Sequence, residues 1–145
     1  MRVVLQRCTS SCVRVDGKKV GSIDKGLLLL VGFNSLSDRD NISYMVNKIV
    51  NLRIFDDEEG VMNKSLLDIN GSVLSISQFT LYADTKKGRR PSYIEALNGK
   101  DANMLYDSFN CEFRKYGIKL DTGRFGCDMK ISLEADGPVT IILEK

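Results

Sequence analysis

Two short runs, Val13-Arg14-Val15 and Lys19-Val20, flank Asp16-Gly17. That dipeptide favours a tight hairpin turn, so the N-terminal third is expected to begin as antiparallel strands. Leu27–Val31 is a continuous apolar run bounded by Gly26 and Gly32, a pattern suited to a strand buried on both faces. After Ser37 the period changes. Ile42, Met45, Val46, Ile49 and Val50 recur at the spacings of one helical face, and Ser37 with Asp40 offers a cap. A second helix is predicted from about Lys100 to Tyr116, with Leu105, Tyr106, Phe109 and Phe113 on one face and Gly117 as its stop.

Strand patterns recur at Val73–Ser77, Ile118–Thr122, Met129–Ala135 and Val139–Leu143. Strands outnumber helices. The fold class this implies is α+β, a curved and largely antiparallel β-sheet or open barrel with two main helices packed on it. No repeat or low-complexity linker interrupts the chain, and its only prolines are Pro91 and Pro138. A single domain over residues 1–145 is expected.

Composition narrows the chemistry. With 145 residues, 43% of them hydrophobic and 28% charged, the chain has the make-up of an ordinary globular domain. No apolar run approaches the ~18 residues of a membrane span, and the opening MRVVLQRCTSS lacks the apolar core of a signal peptide, so a cytoplasmic location is expected. The four cysteines, Cys8, Cys12, Cys111 and Cys127, show no CxxC spacing. The chain has no histidine, which excludes Ser-His-Asp and Cys-His triads and zinc sites of the HExxH type. Hydrolytic chemistry here has to do without an imidazole base. No metal site or cofactor is expected.

Net charge is only +2, but it is unevenly placed. Lys86-Lys87-Gly88-Arg89-Arg90 sets four cations in five residues, and Asp56-Asp57-Glu58-Glu59 is an unbroken acidic run. The acidic run reads as a solvated loop. The basic run suits either a solvated loop or contact with phosphates, which a glycine among cations allows the backbone to approach.

Three segments are polar or conformationally unusual where a plain core would not be. Ser77-Gln78-Phe79-Thr80-Leu81 ends a strand, where hydroxyls, an amide and backbone N–H groups can face a cleft and hold an oxyanion. A strand edge satisfying itself on neighbouring backbone is the plain alternative. Gly137-Pro138-Val139-Thr140 separates two strand patterns and reads as a turn; spacing alone does not make its X–Pro bond cis. Gly123-Arg124-Phe125-Gly126-Cys127-Asp128-Met129 brackets an aromatic between glycines, either a loop with a hydrophobic anchor or a pocket wall for a base or ribose.

Taken in order, Ser77–Leu81, Ala83–Ser92, Gly126–Met129, Gly137–Thr140 and the opening Met1–Arg7 resemble the signature segments of the D-aminoacyl-tRNA deacylases, from first residue to last. The resemblance implies a homodimeric enzyme that hydrolyses the ester between a D-amino acid, or glycine, and the terminal adenosine of tRNA. It places Ser77, Gln78, Phe79 and Thr80 in the catalytic site. It assigns substrate binding and rejection of L-amino acids to Gly137, Pro138, Phe125 and Met129, with Gly137-Pro138 in cis and inserted from the partner subunit. Lys86, Lys87, Arg89 and Arg90 are expected to meet tRNA phosphates. The family usually carries apolar or small residues at Cys8 and Cys12, alanine at Cys127 and asparagine at Ala135; these departures are expected to be small and buried. A non-catalytic tRNA- or RNA-binding module and a purely structural dimer are the other readings.

Overall fold

The computed structural model describes residues Met1–Lys145, and its longest-shared element is the strand β1 (Arg2–Val15). On one edge β1 serves β2 (Lys18–Ile23) with its second half and β3 (Gly26–Gly32) with its first, both antiparallel. The Asp16-Gly17 turn joins β1 to β2 with both residues at positive φ, 50° and 75°, as such a hairpin requires. Along its remaining edge, β1 is antiparallel to β8 (Lys130–Glu144), from Arg2 opposite Glu144 to Arg14 opposite Lys130.

The sheet continues through two parallel pairs. β3 pairs with β6 (Ser72–Ser77), and β6 with β7 (Lys119–Thr122), giving the order β2-β1-β3-β6-β7 with β8 added to β1. The ends of this order then meet. The Ser22 amide donates to Asp121 Oδ2 at 2.8 Å, and a Cβ on Gly21 would stand 2.7 Å from the Thr122 carbonyl, so the sheet is a nearly closed barrel.

Two apolar groups fill the two sides of this sheet. Leu27, Leu29 and Val31 face α1 (Arg39–Asn51) and α2 (Gly99–Glu112) in the larger core, while Leu28 joins Cys8, Val13, Ile23, Leu74 and Ile76 inside the barrel. The run Leu27–Val31 is thus covered on both faces, as its unbroken hydrophobicity predicts. On α1 the predicted stripe Ile42, Met45, Val46, Ile49 and Val50 is buried throughout.

Several boundaries differ from expectation. The cap of α1 is Asp38, whose carboxylate accepts from the Asn41 amide at 2.8 Å; the Ser37 hydroxyl is instead engaged by Asn34. α2 starts one residue earlier, capped by Asn98, and its last predicted turn, Phe113–Tyr116, tightens into a 3₁₀ helix before Gly117 at φ 69°. β7 begins at Lys119 rather than Ile118. The acidic run is only partly a solvated loop: it belongs to a small hairpin of β4 (Phe55–Asp56) and β5 (Met62–Lys64), and Asp57 ties its turn by accepting from the Glu59 and Val61 amides, each at 3.0 Å.

The largest correction concerns the C-terminal strands. Met129–Ala135 and Val139–Leu143 are halves of the single strand β8, and Gly137-Pro138 is an interruption in its pairing with β1 rather than a turn between strands. Gln6 pairs with Thr140 and Cys8 with Ala135, so Arg7 alone stands opposite Asp136–Val139. The Gly137–Pro138 peptide is cis, and Gly137 has φ 111°.

Close approach makes Gly26 sensitive. A Cβ there would lie 1.9 Å from the Ser72 carbonyl oxygen and 2.7 Å from its nitrogen, both backbone atoms in the parallel β3–β6 pair. Gly26→Ala is therefore expected to cost about 3 kcal/mol or more. Gly99→Ala, whose Cβ would meet nothing within 4 Å at the start of α2, should be neutral or stabilising by up to about 1 kcal/mol. Denaturant unfolding of the two variants checks the contrast.

Candidate active site

β6 is buried from Val73 to Ile76, and from Ser77 its chain emerges at the barrel rim. The Gln78 amide still donates to the Val31 carbonyl at 2.8 Å, after which Phe79–Tyr82 coil into a 3₁₀ helix. This turn sits directly on the end of β3. A Cβ on Gly32 would stand 2.9 Å from the Gln78 carbonyl and 3.2 Å from Leu81 Cβ, so the glycine permits the approach. Arg2 braces the same turn from behind. Its guanidinium donates to the Leu81 carbonyl, pairs with Glu144 and lies 4.9 Å from the centre of the Tyr82 ring.

In front of the turn lies a cleft of about 650 Å³. One wall is Ser77, Gln78 and Phe79; another is the start of α2 with Ala102; the third is the loop carrying Phe125 and Met129. Phe79 is 57% exposed, an unusual position for a large aromatic, and is steadied by the edge of Tyr93 with ring centres 5.0 Å apart. Phe125 rests on the buried ring of Tyr106 at 6.0 Å. Burial raises the Tyr106 phenol above its ordinary range, so at neutral pH it is a donor, and it donates to the Ser75 carbonyl at 2.7 Å.

The cleft thus unites five of the candidates: Ser77, Gln78, Phe79, Phe125 and Met129. Three groups lie elsewhere. Thr80 is outside the lining and half-buried, its hydroxyl accepting from the Gln78 side-chain amide. Gly137 and Pro138 are exposed and absent from this chain's own cleft. Lys86, Lys87, Arg89 and Arg90 are exposed on a loop whose base is pinned by reciprocal Asp84 and Ser92 backbone bonds of 2.8 and 2.9 Å, next to Tyr93 at the cleft. None of the four makes an ion pair.

The Gly137-Pro138 segment is held by Arg7. This guanidinium is almost fully buried, donating to the Ile54 carbonyl at 2.8 Å and pairing with Asp56 at 3.3 Å and Asp136 at 3.0 Å. A buried cation needs such partners, so the contacts fix the interrupted part of β8 against β1. Sequence reading missed Arg7, although a signal existed: Val3, Leu5 and Arg7 alternate on one face of β1, which puts a charge where the strand faces inward. Tyr93, Ala102 and Tyr106 were also missed, since each is remote in sequence from the polar strand end it meets.

Chemically, the cleft pairs aromatic and aliphatic walls with the hydroxyl of Ser77 and the amide of Gln78. It holds no imidazole, and no three cysteine, aspartate or glutamate side chains of the chain converge as metal ligands. It can seat a flat ring and polarise a carbonyl, and the one carboxylate in its lining, Asp128, is exposed and paired with Lys130 at 3.1 Å.

A family model described as D-Tyr-tRNA(Tyr) deacylase matches residues 4–144. The chain belongs to that family. Among curated relatives, the D-aminoacyl-tRNA deacylase of Clostridium botulinum (strain 657 / Type Ba4) is 54% identical over 144 residues, covering 99% of this chain and 97% of that protein. The D-aminoacyl-tRNA deacylase of Thermosipho africanus (strain TCF52B) is 51% identical over the same shares. A solved structure, the c-Myc DNA Unwinding Element Binding Protein, superposes with a TM-score of 0.93 at 36% identity, covering 100% of this chain and 99% of that one.

Of the family departures, only Cys8 is fully buried; Cys12 is half-buried, and Cys127 and Ala135 are exposed. Cys127 lines the cleft, whereas Cys111, the other exposed thiol, lies outside it. A bulky maleimide is therefore expected to block the cleft of this deacylase-family chain through Cys127. Cys127→Ala should remove the sensitivity and Cys111→Ala should not, as read by labelling mass and residual activity.

Proposed function

We propose that this chain hydrolyses the ester of D-aminoacyl-tRNA, releasing the free D-amino acid and tRNA, and so removes mischarged D-amino acids before translation uses them. One observation carries the reading: family membership spans residues 4–144, and the Ser77-Gln78-Phe79 segment of the chain lies in one cleft with Phe125 and Met129. The terminal adenosine rests between the aromatic walls. Its amino acid presents the ester carbonyl to the strand end, where the first amides of the 3₁₀ turn, at Phe79 and Thr80, lack intrahelical acceptors and can bind a developing oxyanion.

An aminoacyl ester beside a free ribose hydroxyl is already labile, so positioning and charge stabilisation suffice where no imidazole exists. That ribose hydroxyl activates or orients water. Glycyl-tRNA enters as well, having no side chain to exclude. The active form is a homodimer located in the cytoplasm, and Gly137-Pro138 of one subunit enters the cleft of the other, where backbone crowds the space an L side chain would need. Support for this comes from their exposure and from the Arg7 contacts that hold Asp136 beside them. Lys86, Lys87, Arg89 and Arg90 meet acceptor-stem phosphates, in keeping with their unpaired charges beside the cleft.

A second reading, a nucleic-acid-binding module without catalysis, is favoured by one observation, the 36% identity to the DNA Unwinding Element Binding Protein. Incubation with D-tyrosyl-tRNA and L-tyrosyl-tRNA separates the two. Release of D-tyrosine alone supports the deacylase; retention of both esters with binding supports the module. Within the first outcome, Thr80→Ala should keep activity within about tenfold, because a threonine without an adjacent base is a poor nucleophile. A tRNA whose terminal ribose lacks the hydroxyl beside the ester should lose about a hundredfold or more. Complete loss in Thr80→Ala with binding intact would indicate a covalent route instead.

The basic loop has its own test. Each phosphate contact contributes about one unit to the slope of log affinity against log salt. Lys87→Ala with Arg89→Ala should flatten that slope by about two and weaken all tRNAs alike, as measured by filter binding across a salt series.

A further inference from the structure

The loop that forms the third wall of the cleft leaves the sheet at Gly123. The last paired position of β6 and β7 is Ser75 opposite Thr122, and beyond it the Gly123 amide makes one more bond, to the Ser75 carbonyl at 3.1 Å. That same carbonyl accepts the Tyr106 hydroxyl at 2.7 Å. One oxygen therefore joins three elements: the strand that leads into Ser77, the helix α2 and the root of the Phe125–Met129 loop. Gly123 matters in this arrangement, because a Cβ there would stand 2.4 Å from Met129 Sδ; Met129 lies in the space the missing side chain leaves.

The loop has open space on both sides. Phe125 lines the cleft already described and also a second one of about 700 Å³, along the later turns of α2. Between them its ring is half-buried, packed at the edge of the larger core. Tyr106 meets the loop twice, ring against ring at 6.0 Å and hydroxyl through the shared carbonyl. Packing alone does not account for the hydroxyl, since a phenylalanine ring would fill the same place without the cost of taking a polar group out of water. The gain from the hydroxyl is directional.

We propose that Tyr106 is a positioning residue of the deacylase cleft, its hydroxyl fixing through the Ser75 carbonyl the loop that sets Phe125 and Met129 against the substrate. For its activity readout this rests on the proposed function; for its structural readout it does not. The experiment compares Tyr106→Phe with Phe109→Leu, which opens the same helix's core packing without touching the clamp. Both are followed by the Met129 methyl resonance, assigned by its loss in Met129→Leu, and by steady-state hydrolysis of D-tyrosyl-tRNA. Tyr106→Phe should fold, broaden or split the Met129 methyl signal and raise KM about fivefold to tenfold, roughly the equilibrium value of one hydrogen bond, with a smaller change in kcat. Phe109→Leu should lower the melting temperature and leave both readouts in place. An unmoved methyl signal in Tyr106→Phe, a moved signal with unchanged KM, or the same changes in Phe109→Leu would overturn the proposal. If the unaltered protein does not hydrolyse D-tyrosyl-tRNA, the functional reading falls, and the methyl signal alone decides the clamp.

Discussion

Everything in this fold is hung on the two edges of β1. Most of its fourteen residues pair with β8 on one side and with β3 and then β2 on the other, the exceptions falling between Arg7 and Ser10. Changing partners near Cys8 bends the strand, and that bend turns a flat sheet into a barrel whose far ends, β2 and β7, come close enough for the Ser22 amide to reach Asp121. An unpaired backbone group in such a place would cost about as much as a lost hydrogen bond, so the position of each later strand follows from the pairing of the first.

The cleft is a product of that curvature. Where β3 and β6 run out together, Gly32 lets the Phe79–Tyr82 turn fold across the strand end, and the polar residues stop being core and become lining. The opposite wall is carried on a loop, and loops take their precision from what anchors them. Here the anchors are backbone oxygens: the Ser75 carbonyl for the Phe125 loop, the Leu81 carbonyl for the 3₁₀ turn and the Ile54 carbonyl for the Arg7 side chain beneath Gly137. Side-chain donors reaching main-chain acceptors fix geometry more firmly than pairs of flexible side chains, because only one partner has rotamers to lose.

What was legible in the sequence was whatever is written locally. The run Leu27–Val31 and the stripe Ile42 to Val50 announce their burial by period alone, and Asp16-Gly17 announces its turn by conformation. The strand end at Ser77 stood out because polar residues follow buried ones. The single nature of β8 was not legible, since Gly137-Pro138 looks like a turn until Arg7, about 130 residues away, is seen to stand opposite four residues of it. Thr80 shows the same limit: only the 3₁₀ turn decides that its hydroxyl meets the Gln78 side-chain amide. Tyr106 reads as one more core aromatic, which it is, and nothing in its period reveals that its hydroxyl finds Ser75.

The pairing of β1 with β8 also sets a problem of timing. During synthesis the first strand is made long before its partner, with 114 residues standing between Val15 and Lys130. At roughly 5–20 residues per second, the outer edge of β1 waits on the order of ten seconds for the strand that will cover it. The inner edge can close early, because β2 and β3 follow directly. A nascent chain of this protein is thus a half-satisfied sheet with one open edge, and the polar side chains that punctuate β1, the amide of Gln6, the hydroxyl of Ser10 and the guanidinium of Arg14, are of the kind that discourages such an edge from pairing with a neighbouring chain.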